Sequence, residues 1–295
     1  VITFSSLVNL VVFVNFGNIR STTPDIDSII INNLTGLSFI KMNYVFGSLS
    51  INHNAVLVAL VSPLIFLVKQ KQKRTVFLII NGIALLFIGS RVPIIALLLS
   101  FILVPLLMKI RLSFVVKLIA LIIPLIATII TVLIPRIPEM TGFDFLSRNS
   151  EELYTSNSRT LIWDVIIYDI SNISFATLFG SGEYGNFAFQ SSQSYLEIFQ
   201  NFTDSEVKTS HNTFFQIILD LGYIYLGFFI FVLSKCMNVL FGNKNNQFAK
   251  IFIVSFLIFL LTGTTEVVIG SYYMPTTFVL LMIIFYINNN PIYNT

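Results

Sequence analysis

The chain of 295 residues is 55% hydrophobic and only 11% charged, with a mean hydropathy of +0.85. A soluble domain of this size carries roughly 25% charged residues, so the composition excludes one and makes lipid the solvent for much of the surface. The net charge of +3 is no nucleic-acid signal, because the basic residues sort by membrane side, and the single cysteine, Cys236, excludes an internal disulfide framework.

Apolar runs at 1–16, 51–68, 75–90, 92–108, 112–134, 213–233, 248–265 and, shorter, 274–287 predict eight membrane-spanning helices. The chain thus reads as all-α and polytopic, one membrane domain over 1–295. It opens on Val1 with no initiator Met and no basic region, which reads as an N-terminally incomplete protein. Arg91 and Pro93 follow the short run 75–90 at once, so 75–90 and 92–108 predict a tight hairpin.

Lys69, Lys71, Lys73, Arg74, Lys109, Arg111, Lys117, Lys235, Lys244 and Lys250 fall in or beside three alternate connections that hold no acidic residue. Cytoplasmic connections collect Lys and Arg, so these face the cytoplasm. The acidic residues, from Asp25 to Glu266, then lie outside or just within the outer boundary, with the long loops 17–50 and 135–210.

The loop 135–210, about 75 residues, is too long for a connector, and functional residues are expected in it. Ser156, Asn157 and Ser158 offer helix caps before Arg159. The stretch that follows predicts an amphipathic helix on the membrane surface, with Trp163 as its interfacial anchor. Next comes a glycine-rich turn, Gly180-Ser181-Gly182-Glu183-Tyr184-Gly185. It spells a dinucleotide-binding pattern but lacks the strand and helix of a soluble βαβ unit. Glycines that turn sharply or approach a ligand closely are the better reading.

The loop ends at Ser210-His211-Asn212, where an imidazole stands at the membrane border; the one other histidine is His53. Within the next span lie Asp220, Gly222 and Gly227. Intramembrane carboxylates are functional candidates by default. Asp220 falls on the opposite helical face from His211, so it is expected to bind another helix rather than form a dyad with it. Two distant histidines and a cytoplasmic cysteine make no metal set. Glu183, Glu197, Asp204 and Glu206 offer carboxylates for glycoside hydrolysis, but their spacing selects no pair.

Gly89-Ser90-Arg91 at the outer end of a span, Ser158-Arg159 with Trp163 in the outer loop, Gly180-Ser181-Gly182, and Ser210-His211-Asn212 followed by Asp220-Leu221-Gly222 and Gly227 together resemble the O-antigen ligase and polymerase superfamily. Asn52-His53-Asn54 is similar to that family's Asn-Pro-Asn element, with His53 in place of the proline. The resemblance implies a metal-independent, inverting glycosyltransferase without a cofactor. Its donor would be an oligosaccharide on undecaprenyl pyrophosphate, used outside the bacterial cytoplasmic membrane, with a chain-length regulator as a candidate partner and no nucleic acid.

Within that resemblance, Arg91 and Arg159 would stabilise the departing pyrophosphate, with Arg148 and Arg136 behind them, because a guanidinium presents a bidentate fork to phosphate. His211 would take the acceptor's proton, a task suited to an imidazole. Asn212, Gly180, Gly182 and Asp220 would contact substrate. The expected activity is repeat-unit polymerisation, with ligation to a different acceptor as the alternative. Transport of lipid-linked sugars is a further alternative, disfavoured by spans almost free of charge and by the lack of an internal repeat.

Overall fold

A computed structural model describes residues 51–88, 90–109, 159–183, 209–242 and 246–269, with isolated positions at 122, 185, 189, 277 and 281. Among the described residues the chain is helical with no strand. Two compact units emerge, one comprising Val1–Val116, Met237–Thr262 and Val268–Thr295, the other Lys117–Cys236 and Gly263–Val267.

In the first unit, α1 (Ile51–Val61) gives way to a 3-10 segment, Ser62–Leu67, at Pro63. Proline has no N–H and its ring clashes with the preceding turn, so the α-helix cannot run on unchanged. The predicted span 51–68 is therefore two pieces. Ser62 Oγ donates to Val58 O (2.7 Å) and accepts from Asn81 Nδ2 (3.3 Å), which partners these two buried polar atoms inside the protein.

Helix α2 (Lys71–Ile88) follows, then α3 (Arg91–Lys109). Both present an inside-out surface. In α2 the buried stripe is Asn81, Ala84, Leu85 and Ile88, while Val76, Ile79, Ile83 and Leu86 are exposed. In α3 the small residues Ala96 and Ser100 face inward and Ile95, Leu98, Leu99, Ile102 and Leu106 face out. Small residues let helix backbones approach in lipid, and apolar stripes this large would be a liability in water. Helix α7 (Gln247–Thr262) is buried nearly all round and packs against α1 and α3. Ser255 Oγ on α7 donates to Leu60 O (3.0 Å).

In the second unit, α4 (Arg159–Ser171) buries Ile162, Trp163, Ile166 and Ile170 against Ile218 and Leu219 of α6 (Thr213–Gly242). These positions recur at helical spacing and form one stripe. Trp163 is not the interfacial anchor the sequence suggests. It is wholly buried, its indole meets the ring of Phe215 edge-on at 6.4 Å, and its N–H is satisfied within the protein. The short α5 (Phe175–Phe179) starts on a reciprocal cap: Ser174 Oγ accepts from Thr177 N (3.1 Å), and Thr177 Oγ1 accepts from Ser174 N (2.7 Å).

Two helices, α3 and α6, are long and apolar enough to cross a membrane among the described residues. The run 213–233 extends to Gly242, and 75–90 forms as Lys71–Ile88. The predicted spans 1–16 and 274–287, apart from two isolated positions, and 112–134, apart from one, lie outside the described residues, as does most of the loop 135–210.

Candidate active site

The site is built where α6 begins. Asn212 caps that helix: its Oδ1 accepts from Phe214 N (2.9 Å) and Phe215 N (3.1 Å). These are orphan donors of a helix's first turn, which an Asn side chain satisfies well. Its Nδ2 donates to Thr264 O at 2.9 Å. Asn212, expected to touch substrate, uses its amide for the cap and for the segment of chain that follows α7.

That following segment, Gly263–Val267, is strapped over the start of α6. Thr213 N donates to Gly263 O (2.8 Å) and Thr213 Oγ1 to Glu266 O (2.8 Å). The strap delivers Glu266 between the two side chains the sequence had singled out. Arg159, the first residue of α4, donates from Nη2 to Glu266 Oε1 (2.6 Å) and from Nη1 to Thr265 O (2.9 Å). Glu266 Oε2 lies 3.7 Å from His211 Nδ1.

Burial grades outward through the three: the side chains of Glu266, Arg159 and His211 are 5%, 15% and 35% exposed. The carboxylate is thus the buried pivot and the imidazole the most exposed of the three. A buried carboxylate needs its charge compensated, and the Arg159 fork does that in a short charge-assisted bond. At 3.7 Å the imidazole contact is electrostatic and longer than a hydrogen bond. It directs Nδ1 toward the carboxylate and leaves Nε2 turned away from it.

Glu266 was legible in the sequence only as one more outer-side acid. Its signal was a carboxylate directly after an apolar run, a position that is costly unless partnered.

Beneath the cap, α6 breaks at Gly222, whose backbone is left-handed in φ and extended in ψ (82°, 173°). The break frees the carbonyls of Leu219 and Asp220 from their helical partners. The glycine-rich turn supplies replacements: Ser181 N donates to Leu219 O and Gly182 N to Asp220 O, both at 2.9 Å. Gly180 (φ 82°) and Gly222 interlock, since a Cβ on either would collide with main chain of the other segment, at Asp220 and Leu178 respectively. Gly180, expected against a ligand, therefore packs on helix backbone, while Gly182 has open space beside it.

Asp220 Oδ1 accepts from Gly185 N (2.7 Å) and Gln216 Nε2 (2.9 Å). The expectation was a bond to another helix; these two partners are a turn and Asp220's own helix. Arg91 opens α3 in the other unit, partly buried, and His53 is buried in α1. Arg148 and Arg136 lie outside the described residues. Among the described residues no cluster of three or more His, Cys, Asp or Glu side chains converges as a metal set would.

Apolar helices with outward-facing aliphatic stripes define a helical membrane protein, and the buried Arg–Glu pair below a histidine gives it a polar site at one end of a spanning helix. A family model described as O-antigen ligase matches residues 75–232, more than half of the chain, and the protein belongs to that family. Its members are glycosyltransferase-like enzymes of O-antigen assembly that act on lipid-linked oligosaccharides. No curated protein and no solved structure matched the chain.

Proposed function

We propose that this protein polymerises oligosaccharide repeat units, moving a glycan from an undecaprenyl-pyrophosphate carrier to a hydroxyl at the end of another lipid-linked glycan on the outer side of the bacterial cytoplasmic membrane. The observation that carries the reading is the convergence of Arg159, Glu266 and His211 at the start of α6.

The acceptor oxygen attacks the anomeric carbon from the face opposite the pyrophosphate, and the configuration inverts. Its proton passes to His211 Nε2. The bond from the anomeric carbon to the pyrophosphate oxygen breaks, and the leaving group departs with the electron pair. Glu266 stabilises the imidazolium that forms, in the way a carboxylate supports a catalytic histidine. Arg159 neutralises the carboxylate, and its fork has further N–H groups to offer an anion. Arg91 and Arg148 are proposed to bind the pyrophosphate, Gly182 to border the glycan, and no metal or cofactor is assigned a step. The one-sided distribution of Lys and Arg supports an outward-facing site.

Ligation to a different acceptor is the second reading, favoured by the description of the matching family as O-antigen ligase. The chemistry is the same and only the acceptor differs. A deletion strain complemented with wild type, His211→Asn or Glu266→Gln at equal membrane levels separates the two on a surface-polysaccharide gel. Single repeat units on the lipid core, restored to a ladder by wild type alone, support polymerisation. Polymer accumulating on its carrier supports ligation. A ladder untouched by deletion, in a strain with no second such enzyme, overturns both.

A further inference from the structure

Among the described residues, His211 is the one non-glycine residue with φ in the left-handed region (51°). That backbone is unfavourable for an L-residue and persists only where its surroundings over-determine it. The surroundings here are specific. Ser210, immediately before the histidine, has both main-chain groups taken by side chains from two different helices. Its N–H donates to Gln216 Oε1 of α6 (2.9 Å), and its carbonyl accepts from Trp163 Nε1 of α4 (2.8 Å). Its hydroxyl donates to Asn212 O (2.8 Å) and closes the bend over His211.

Each arm of this clamp is itself fixed. Trp163 is wholly buried, with Ile162, Ile166, Ile218 and Leu219 in its cluster, so its indole N–H has one direction in which to point. Gln216 is buried, and its Nε2 donates to Asp220 Oδ1 (2.9 Å). A carboxylate accepts, so the amide must turn its NH2 to Asp220 and its oxygen to Ser210. Gly185 N holds the same carboxylate oxygen (2.7 Å).

We infer that Trp163 and Gln216 are positioning residues, which through Ser210 hold His211 in its left-handed conformation and so aim its imidazole between Glu266 and the acceptor. The inference rests on reading His211 as the base, and its test is built to fail separately from that reading.

The full-length protein, labelled with 13C and 15N at histidine and reconstituted in nanodiscs, is compared as Trp163→Phe, Gln216→Met and Tyr223→Phe. Trp163→Phe keeps a ring and deletes the donor. Gln216→Met keeps length and deletes the acceptor. Tyr223→Phe is the control: Tyr223 Oη donates to Ile170 O (2.8 Å), so it links the same two helices without touching Ser210. Transfer is measured with a synthetic polyprenyl-pyrophosphate-linked oligosaccharide as both donor and acceptor.

Both clamp variants are expected to lower kcat by about 10- to 100-fold with KM within about twofold, the size of effect that misplacing a catalytic group by ~1 Å produces. Both should also shift the His211 imidazole resonances, assigned by their loss in His211→Asn. Tyr223→Phe should leave both readouts in place. Resonances unmoved in the folded clamp variants, or moved equally by Tyr223→Phe, overturn the inference. Should wild type transfer nothing, the functional reading fails while the resonances still decide the positioning. Should Trp163→Phe not fold, Gln216→Met decides it.

Discussion

The two units bury polar groups for different ends. In the first, Ser62 bonds back to Val58, Asn81 reaches Ser62, and Ser255 touches Leu60. The helices are held by small inward residues and close contact, as lipid requires when burying apolar surface brings little gain. In the second, polar bonds run in sequence from the glycine turn through Asp220 and Gln216 to Ser210, and from Arg159 through Glu266 to His211. A bond in the first unit holds two helices together, whereas one in the second also sets the direction of a side chain. The sensitivity of function should follow that division.

Glu266→Ala should produce the largest effect. It strands the Arg159 guanidinium, and breaking a buried pair costs about 3–5 kcal/mol. With the histidine's partner gone, transfer should fall by about 10²- to 10⁴-fold. Thermal unfolding in nanodiscs and the transfer assay measure the two losses separately, and a stable, active Glu266→Ala would break the comparison.

Gly180→Ala and Gly222→Ala come next. Their positive φ with extended ψ is a region open essentially to glycine alone and costs another residue about 1–3 kcal/mol, and the interlocked main chains leave no space for a methyl group. Folded yield after membrane extraction should drop sharply for both. Gly227→Ala, with open space around it, should match wild type or gain up to about 1 kcal/mol.

Asp169, on α4, sharpens the comparison through pH. Burial raises its pKa from 3.8 to about 6. The folded state therefore holds this proton more tightly than the unfolded chain, and stability falls as pH rises from about 4 to about 6. Asp169→Asn should flatten that part of the profile and raise the melting temperature at pH 7.5 relative to wild type. A profile identical to wild type would show that the carboxyl titrates as in the unfolded chain.

The smallest effect belongs to Ser255→Ala, which removes a single interhelical bond in the first unit and should cost about 0.6 kcal/mol. A loss as large as that of Glu266→Ala would mean that the first unit also depends on polar aim.

The sequence made part of this site readable. Arg159 and His211 stood out as polar, chemically capable residues bordering apolar runs on the outer side, while Asn212, expected as a substrate contact, caps α6. Glu266 did not, because its partners come from two distant segments and no spacing rule links a strap after one helix to the caps of two others. Trp163 misled for a related reason: an indole with one polar atom suits a headgroup layer and a buried hydrogen bond equally, and the carbonyl that chooses between them lies across a fold. The turn at Gly180 was read correctly as sharp, but its ligand is the backbone of α6, visible only once Gly222 breaks that helix. Among the described residues the apolar runs form helices whose ends differ from the runs: 213–233 extends to Gly242, 75–90 forms as Lys71–Ile88, and Pro63 tightens 51–68, an effect of local geometry that hydropathy does not record.

The break at Gly222 also separates two mechanical regimes within one helix. Membrane-crossing helices lean by about 20° on average, and by more or less as bilayer thickness changes. A continuous helix would carry that lean, as rotation and translation, directly into Gln216 and the cap at Asn212. Here the carbonyls of Leu219 and Asp220, which would bond across the joint, are tied to Ser181 and Gly182 instead. The segment before Gly222 is thereby fastened to the turn beside it rather than to the rest of α6.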